Sequence, residues 1–300
     1  MVHEDMNSSI LIFGKSGQLG WELQRSLSPL GLLTLHDRQS CDITNIKSLR
    51  SAIIAANPRV IINAGAYTSV DGAEKDGENT YKINSSAVGV IADMALSLNA
   101  LFVHYSSDYV FDGIKSSPYV ESDLANPLSI YGASKLYGER AIVDSGCDYL
   151  IFRTSWVFAT RGSNFIKTVL RLAKERDSLR VVADQWGAPT SAELIADVTA
   201  HGIRDVLAQR APGGLYHLSA SGKTNWHEYA NFILEQARQL GTELKTYSAE
   251  AISTAEYPLP AKRPLNSSLD TSKLQKTFQL SLPDWRYHVQ RTIAELLTPK

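Results

Sequence analysis

The chain of 300 residues sets 30 Lys plus Arg against 31 Asp plus Glu, a formal net charge of −1, and 44% of its residues are hydrophobic. That balance fits a folded globular protein and argues against disorder, and with no Lys/Arg run able to track phosphates it argues against a nucleic-acid partner. Apolar runs such as residues 10–13 and 60–62 fall far short of the roughly 20 residues that span a bilayer. Glu4 and Asp5 stand where a secretory leader would be basic. Two cysteines, Cys41 and Cys147, supply neither a disulfide framework nor a thiolate zinc spacing, and a cytoplasmic protein is expected.

In chain order, short β-branched runs alternate with helical periods, which is the pattern of βαβ units and a doubly wound, Rossmann-like parallel sheet. Strands are expected at residues 10–13, 32–35, 60–63, 101–106 and 149–153, with helices at 19–27, 46–56, 83–98 and 130–143 between them. After about residue 155 the rhythm changes to helical segments at 165–174, 193–207, 226–240 and 285–297, the second with Ser191 as its N-cap. The fold class expected is therefore α/β. Residues 1–155 form mainly a dinucleotide-binding domain, and 156–300 mainly a smaller α/β substrate lobe, with some chain crossing back.

Gly14-Lys15-Ser16-Gly17-Gln18-Leu19-Gly20 follows the first strand and opens the first helix, the context a dinucleotide fingerprint requires. Glycine lets the backbone approach a pyrophosphate held at the positive end of the helix, so Gly14, Gly17, Gln18, Leu19 and Gly20 are candidate contacts. No Gly-Lys-Ser/Thr follows the last glycine, which excludes a Walker loop. At the end of the second strand an acid suits a ribose 2′-hydroxyl and an arginine a 2′-phosphate; the chain offers Asp37 then Arg38, so NADH and NADPH both stay open. Asp42 and Ile43 sit where the next loop would pass the adenine. Asn63-Ala64-Gly65-Ala66, with Thr68 beyond it, provides small residues where a cofactor would lie against the sheet.

Tyr131 and Lys135 are four residues apart in a helical segment and share one face. Ser107 lies just past the fourth strand, where open α/β sheets bind their ligands. Ketone reduction needs hydride on carbon and a proton on oxygen. Tyr131 would be the acid, Lys135 would lower the phenol toward working pH and bond the nicotinamide ribose, and Ser107 would donate to the carbonyl oxygen.

These residues, with Ser106-Ser107-Asp108-Tyr109-Val110-Phe111, Tyr131-Gly132-Ala133-Ser134-Lys135, Phe152-Arg153-Thr154-Ser155-Trp156-Val157, Asp184-Gln185-Trp186-Gly187-Ala188-Pro189-Thr190, Gly214-Leu215-Tyr216-His217-Leu218 and Arg263-Pro264 before Asn266-Ser267, carry a resemblance. From about residue 8 onward the chain resembles the dTDP-4-dehydrorhamnose reductase family, of the extended short-chain dehydrogenase/reductase class. The resemblance implies NAD(P)H-dependent reduction of the 4-keto group of dTDP-4-dehydro-β-L-rhamnose, the last step toward dTDP-L-rhamnose for bacterial surface polysaccharide. It implies sugar-pocket roles for Ser107, Asp108, Tyr109 and Trp156, and a dTDP-binding role for Asn164, Gln185, Arg263 and Asn266. It also implies a homodimer that shares a structural Mg²⁺ through Glu22, Glu193 and Glu295. Two alternatives stand beside it. A nucleotide-sugar dehydratase or epimerase uses the same Tyr-Lys pair, but a dehydratase typically needs Asp-Glu after the strand-end hydroxyl, and here Asp108 precedes Tyr109. A non-catalytic NADP-binding regulatory subunit would have no need to keep Ser107, Tyr131 and Lys135 together.

Overall fold

Successive residues of a strand face opposite sides of the sheet, so a strand apolar at every position must be covered on both. The computed structural model, which describes residues 8–298, shows this arrangement; Glu4 and Asp5 lie outside those residues. The first half runs β1 (Ser8–Phe13), α1 (Gln18–Leu27), β2 (Gly31–His36), α2 (Ile46–Ala56), β3 (Val60–Asn63), α3 (Val70–Ala73), α4 (Gly77–Tyr81), α5 (Ala87–Leu98), β4 (Leu101–Ser107), α6 (Ile130–Ser145) and β5 (Tyr149–Thr154). The second half follows with β6 (Val157–Phe158), α7 (Phe165–Glu175), β7 (Leu179–Val182), β8 (Trp186–Gly187), β9 (Thr190–Ser191), α8 (Ala192–Leu207), β10 (Gly214–His217), β11 (Thr224–Asn225), α9 (Trp226–Gln239), β12 (Ala249–Ile252), α10 (Ser272–Phe278) and α11 (Trp285–Leu297).

Six parallel strands form the central sheet in the order β2-β1-β3-β4-β5-β10. Ile10, Ile12, Val60, Ile62, Val103, Leu150 and Phe152 point into one core, shared with helices α7, α8, α9 and α11 of the second half. Their neighbours Leu11, Phe13, Ile61, Phe102 and Ile151 point into the other, under α2 and α5. Full burial of each such side chain contributes about 1.5–3 kcal/mol, so the alternation fixes the register strongly.

The sequence expectation of five strands misses β10. It is short, follows Pro212-Gly213, and becomes a strand by pairing with β5, Tyr216 beside Phe152 and His217 beside Arg153. The helix expected over 83–98 is α5 preceded by a π-helical turn, Lys82–Ser86. That turn carries Asn84, whose side chain accepts from Tyr67 N at 2.9 Å and donates to Tyr67 O and to Ser134 Oγ at 3.0 Å each. The Asn84 carbonyl passes so close to Gly138 on α6 that a Cβ there would stand 2.3 Å from it. Ser191 caps α8 as expected, accepting from Leu194 N.

Candidate active site

The sheet order reverses between β1 and β3, and in open α/β sheets the ligand crevice lies there, beyond the carboxyl ends of the strands. Gly14 leaves β1 with φ +89°, and its N–H and that of Lys15 donate to His36 O at 2.8 and 3.0 Å. A Cβ on Gly14 would meet the Ala64 and Gly65 backbone at 2.7 Å, and one on Gly20 would stand 2.0 Å from Gly14 O. Only glycine permits this turn. Helices α2, α6, α7, α8, α9 and α11 each begin with a side chain accepting from their first turn, whereas α1 begins at Gly17 with none. Its first N–H groups therefore keep their capacity for an anion. A bare helix terminus beside a cradle that any Cβ would fill fits a dinucleotide pyrophosphate. Ile43 packs against Gly65, 3.7 Å from where a Cβ would lie, while Ala66 and Thr68 are exposed. Asp37 accepts from Gln39 N and Ser40 N and pairs with Lys15 at 3.5 Å, which holds its carboxyl below the usual range. Asp42 accepts from Thr44 and pairs with Arg38 at 3.6 Å.

Ser107 ends β4, and Tyr131 and Lys135 lie on the first turns of α6, which Ser129 caps. The Ser107 hydroxyl donates to Asp108 Oδ1 at 3.0 Å and accepts from Tyr109 N at 3.1 Å, and it lies near enough to the Tyr131 phenol to act on it. Burial pushes that phenol up to about 12, with Ser107 pulling down and Asp108 pushing up. The expected lowering of the phenol by Lys135 is not found: the ammonium is not among the groups that set it. Lys135 is itself buried, which brings it down to about 8, and its Nζ faces His104 Nε2 at 3.4 Å. Burial also raises Asp108 to about 7, against the hydroxyls of Ser267 and Ser107. Beneath Lys135, Glu139 is clamped by Arg153 Nε at 2.9 Å and Nη2 at 2.7 Å and by the Ser106 hydroxyl.

Tyr109 meets the Tyr131 ring edge-on, with centroids 6.0 Å apart. Trp156, a non-glycine residue at φ +47°, stacks on Trp226 at 3.7 Å. Gly187 leaves room for the Trp156 indole, since a Cβ would lie 2.7 Å from it. A left-handed tryptophan costs about 1–3 kcal/mol, and such strain gathers at ligand sites. Arg263 reaches across the crevice to Asp71 with bonds of 3.1 and 2.7 Å. Three amides are engaged by their own chain. Asn164 caps α7 and donates to Gln18 Oε1 at 3.0 Å; Gln185 donates to Thr254 Oγ1; Asn266 donates to Lys115 O and Ser117 O. Asn164 thereby touches the phosphate-loop helix, while Gln185 and Asn266 are buried.

Glu22, Glu193 and Glu295 do converge, around one small pocket with Arg291. Within one chain these carboxylates have other partners. Glu193 pairs with His288 at 3.4 Å and Arg291 at 3.6 Å, Glu22 with Arg25 at 3.2 Å, and among the described residues no three His, Cys, Asp or Glu side chains are arranged to hold a metal. A cavity of about 510 Å³ opens at the opposite end of the sheet, among Arg59, Asn99, Asp148 and Arg210. It lies at the amino ends of the strands, away from the crevice.

Sequence reasoning passed over His104, Asp71 and Glu139, and it met Asn63 and Arg153 only inside longer motifs, without a role of their own. A histidine or an arginine interrupting an apolar strand, as in Leu101–Ser107 and Tyr149–Thr154, is the signal that marks two of them.

Residues 7–298 match the family model described as the RmlD substrate binding domain. A dTDP-4-dehydrorhamnose reductase of Salmonella typhimurium is 48% identical over 97% of this chain and 98% of its own. The crystal structure of a Bacillus anthracis dTDP-4-dehydrorhamnose reductase in complex with NADP superposes with a TM-score of 0.88 at 34% identity, covering 97% of this chain and 100% of that one. A Clostridium acetobutylicum counterpart gives 0.89 at 34% identity, covering 96% and 99%.

Proposed function

The chain belongs to the dTDP-4-dehydrorhamnose reductase family, and from that membership we infer that it reduces the 4-keto group of dTDP-4-dehydro-β-L-rhamnose with NADPH or NADH, giving dTDP-L-rhamnose. The observation that carries the chemistry is the meeting of strand-end Ser107 with the Tyr131 phenol, close enough for the one to act on the other, with Lys135 buried one turn further along α6.

When bound, the nicotinamide supplies hydride to the keto carbon. In the reductive direction the acid must enter protonated, and a phenol pushed up to about 12 does so at neutral pH. Tyr131 then passes its proton to the oxygen. Ser107, held at the crevice by Tyr109 N and Asp108, turns its hydroxyl to that oxygen as charge develops. Gly14, Gly17 and Gly20 shape the turn that seats the pyrophosphate on α1, and Lys135 holds the nicotinamide ribose. The Trp156 indole, stacked on Trp226, gives an apolar wall for the deoxy sugar, with Tyr109 beside it. Arg263, already paired with Asp71, is placed to meet the diphosphate. The substrate reading for Asn164, Gln185 and Asn266 becomes indirect: they fix the loops that form the pocket.

The same reading includes a homodimer, supported by the half-exposed rings of Trp21 on α1 and Tyr287 on α11. Sedimentation at the monomer mass refutes it. Among the described residues no helix is long and apolar enough to cross a membrane. The deciding experiment mixes the protein with NADPH, and separately NADH, plus dTDP-4-dehydro-β-L-rhamnose, following nicotinamide absorbance and identifying the sugar. Formation of dTDP-L-rhamnose is expected; absence of cofactor oxidation overturns the assignment.

A further inference from the structure

A line of hydrogen bonds runs from the dinucleotide cradle to Lys135. Gly65 N–H donates to Asn63 Oδ1 at 3.0 Å, which fixes the orientation of the amide, because turned round it would set one donor against another. Asn63 Nδ2 then faces His104 Nδ1 at 3.4 Å, the two residues being partners across β3 and β4. An amide nitrogen only donates, so Nδ1 must offer its lone pair. His104 is fully enclosed, and burial holds it well below its usual range. It is therefore a neutral imidazole with its single proton on Nε2, and Nε2 lies 3.4 Å from Lys135 Nζ. Facing an ammonium, that N–H is donor against donor; facing an amine, it is a hydrogen bond.

We propose that His104 is a positioning residue that favours the neutral amine of Lys135 in the protein alone, so that dinucleotide binding is coupled to proton uptake at Lys135 Nζ by the fraction that is neutral at the working pH. The proton comes from the buffer, one N–H bond forms, and nothing is oxidised. The coupling rests on the reading that Lys135 meets the nicotinamide ribose, whose hydroxyls accept from an ammonium. Glu139, one turn along α6, favours the ammonium, but Arg153 and Ser106 already engage its carboxylate. Tyr131, one turn back, is a neutral phenol, and burial sets Lys135 at about 8. The proton gained lies on the helix face of Tyr131, ready to replace the one the phenol gives away.

Two measurements test this. In ¹⁵N-histidine-labelled protein stripped of dinucleotide, two-bond proton–nitrogen correlations should show His104 with a bare Nδ1 and a protonated Nε2, assigned by their loss in His104→Gln. A proton on Nδ1, or on both nitrogens, overturns the proposal. Calorimetric titration with NADPH in buffers of different ionisation enthalpy should show uptake rising from about a tenth of a proton at pH 7 to about nine tenths at pH 9, the neutral fractions of a group titrating near 8. Asn63→Asp keeps an acceptor for Gly65 N–H and adds one for Nδ1–H. It should move the imidazole proton to Nδ1 and bring uptake at pH 9 near zero. Binding without uptake at pH 9 in the unsubstituted protein overturns the coupling. Failure of NADPH to bind refutes the functional reading instead, and the histidine tautomer is read without NADPH.

Discussion

Arg153→Met is the substitution whose cost the structure sets most directly. Arg153 and Glu139 have side chains only 5% and 6% exposed, joined by two charge-assisted bonds, with the guanidinium 5.0 Å over the Phe111 ring. Removing one member leaves the other charge buried without its partner, which costs about 3–5 kcal/mol. At roughly 2–4 °C per kcal/mol for a chain of this size, the melting temperature should fall by about 6–20 °C. Replacing both, as Arg153→Met with Glu139→Gln, removes the stranded carboxylate and should recover at least about 2 kcal/mol relative to the sum of the single changes. Denaturation of the wild type, both single variants and the double variant closes the cycle. A coupling below about 1 kcal/mol would show that water reaches the pair and that the buried-ion argument is wrong.

Tyr131→Phe should lower turnover by about 10²–10⁴-fold while leaving NADPH binding near normal, since only the proton donor is lost; kcat with a fluorescence titration checks it, and ordinary turnover refutes the role. Gly20→Ala sets a methyl 2.0 Å from Gly14 O and should weaken NADPH binding by more than about tenfold through the displaced loop, whereas an unchanged Kd would mean the loop does not seat the pyrophosphate. Asp108, raised from 3.8 to about 7, holds a proton in the folded chain that the unfolded chain has released, so its contribution is lost as pH rises from about 4 through 7. Asp108→Asn does not titrate and should gain stability relative to the wild type across that window, by up to roughly 4 kcal/mol, in denaturant melts at pH 4, 6 and 8. A difference independent of pH would place the carboxyl in water.

What the sequence reveals depends on whether a residue acts through its neighbours in the chain or through neighbours brought by the fold. The runs at β1 and β3 and the glycine loop between β1 and α1 are local signals, because burial on both faces and a turn closed to any Cβ impose themselves residue by residue. The short helices α3 and α4 escaped because Gly72 and Gly77 depress helical propensity within four- and five-residue segments. Ser107, Tyr131 and Lys135 are legible through spacing and strand position. Their supports are not: Glu139 and Arg153 lie on α6 and β5, Asn63 and His104 on β3 and β4, and each pair exists only once the sheet has formed. The phenol shift missed expectation for the same reason, since it follows from burial and Asp108 rather than from the lysine four residues on.

Strand β10 has a consequence for how the protein is made. Until the ribosome has passed residue 217, β5 is the outer strand of an unfinished sheet, with one row of backbone groups uncovered beside Leu150, Ile151 and Phe152. Such an edge invites pairing with another nascent chain. Elongation past this stretch, rather than completion of the nucleotide-binding half, is therefore the step at which a slow ribosome would expose the chain to aggregation, and the interval in which a chaperone would engage it.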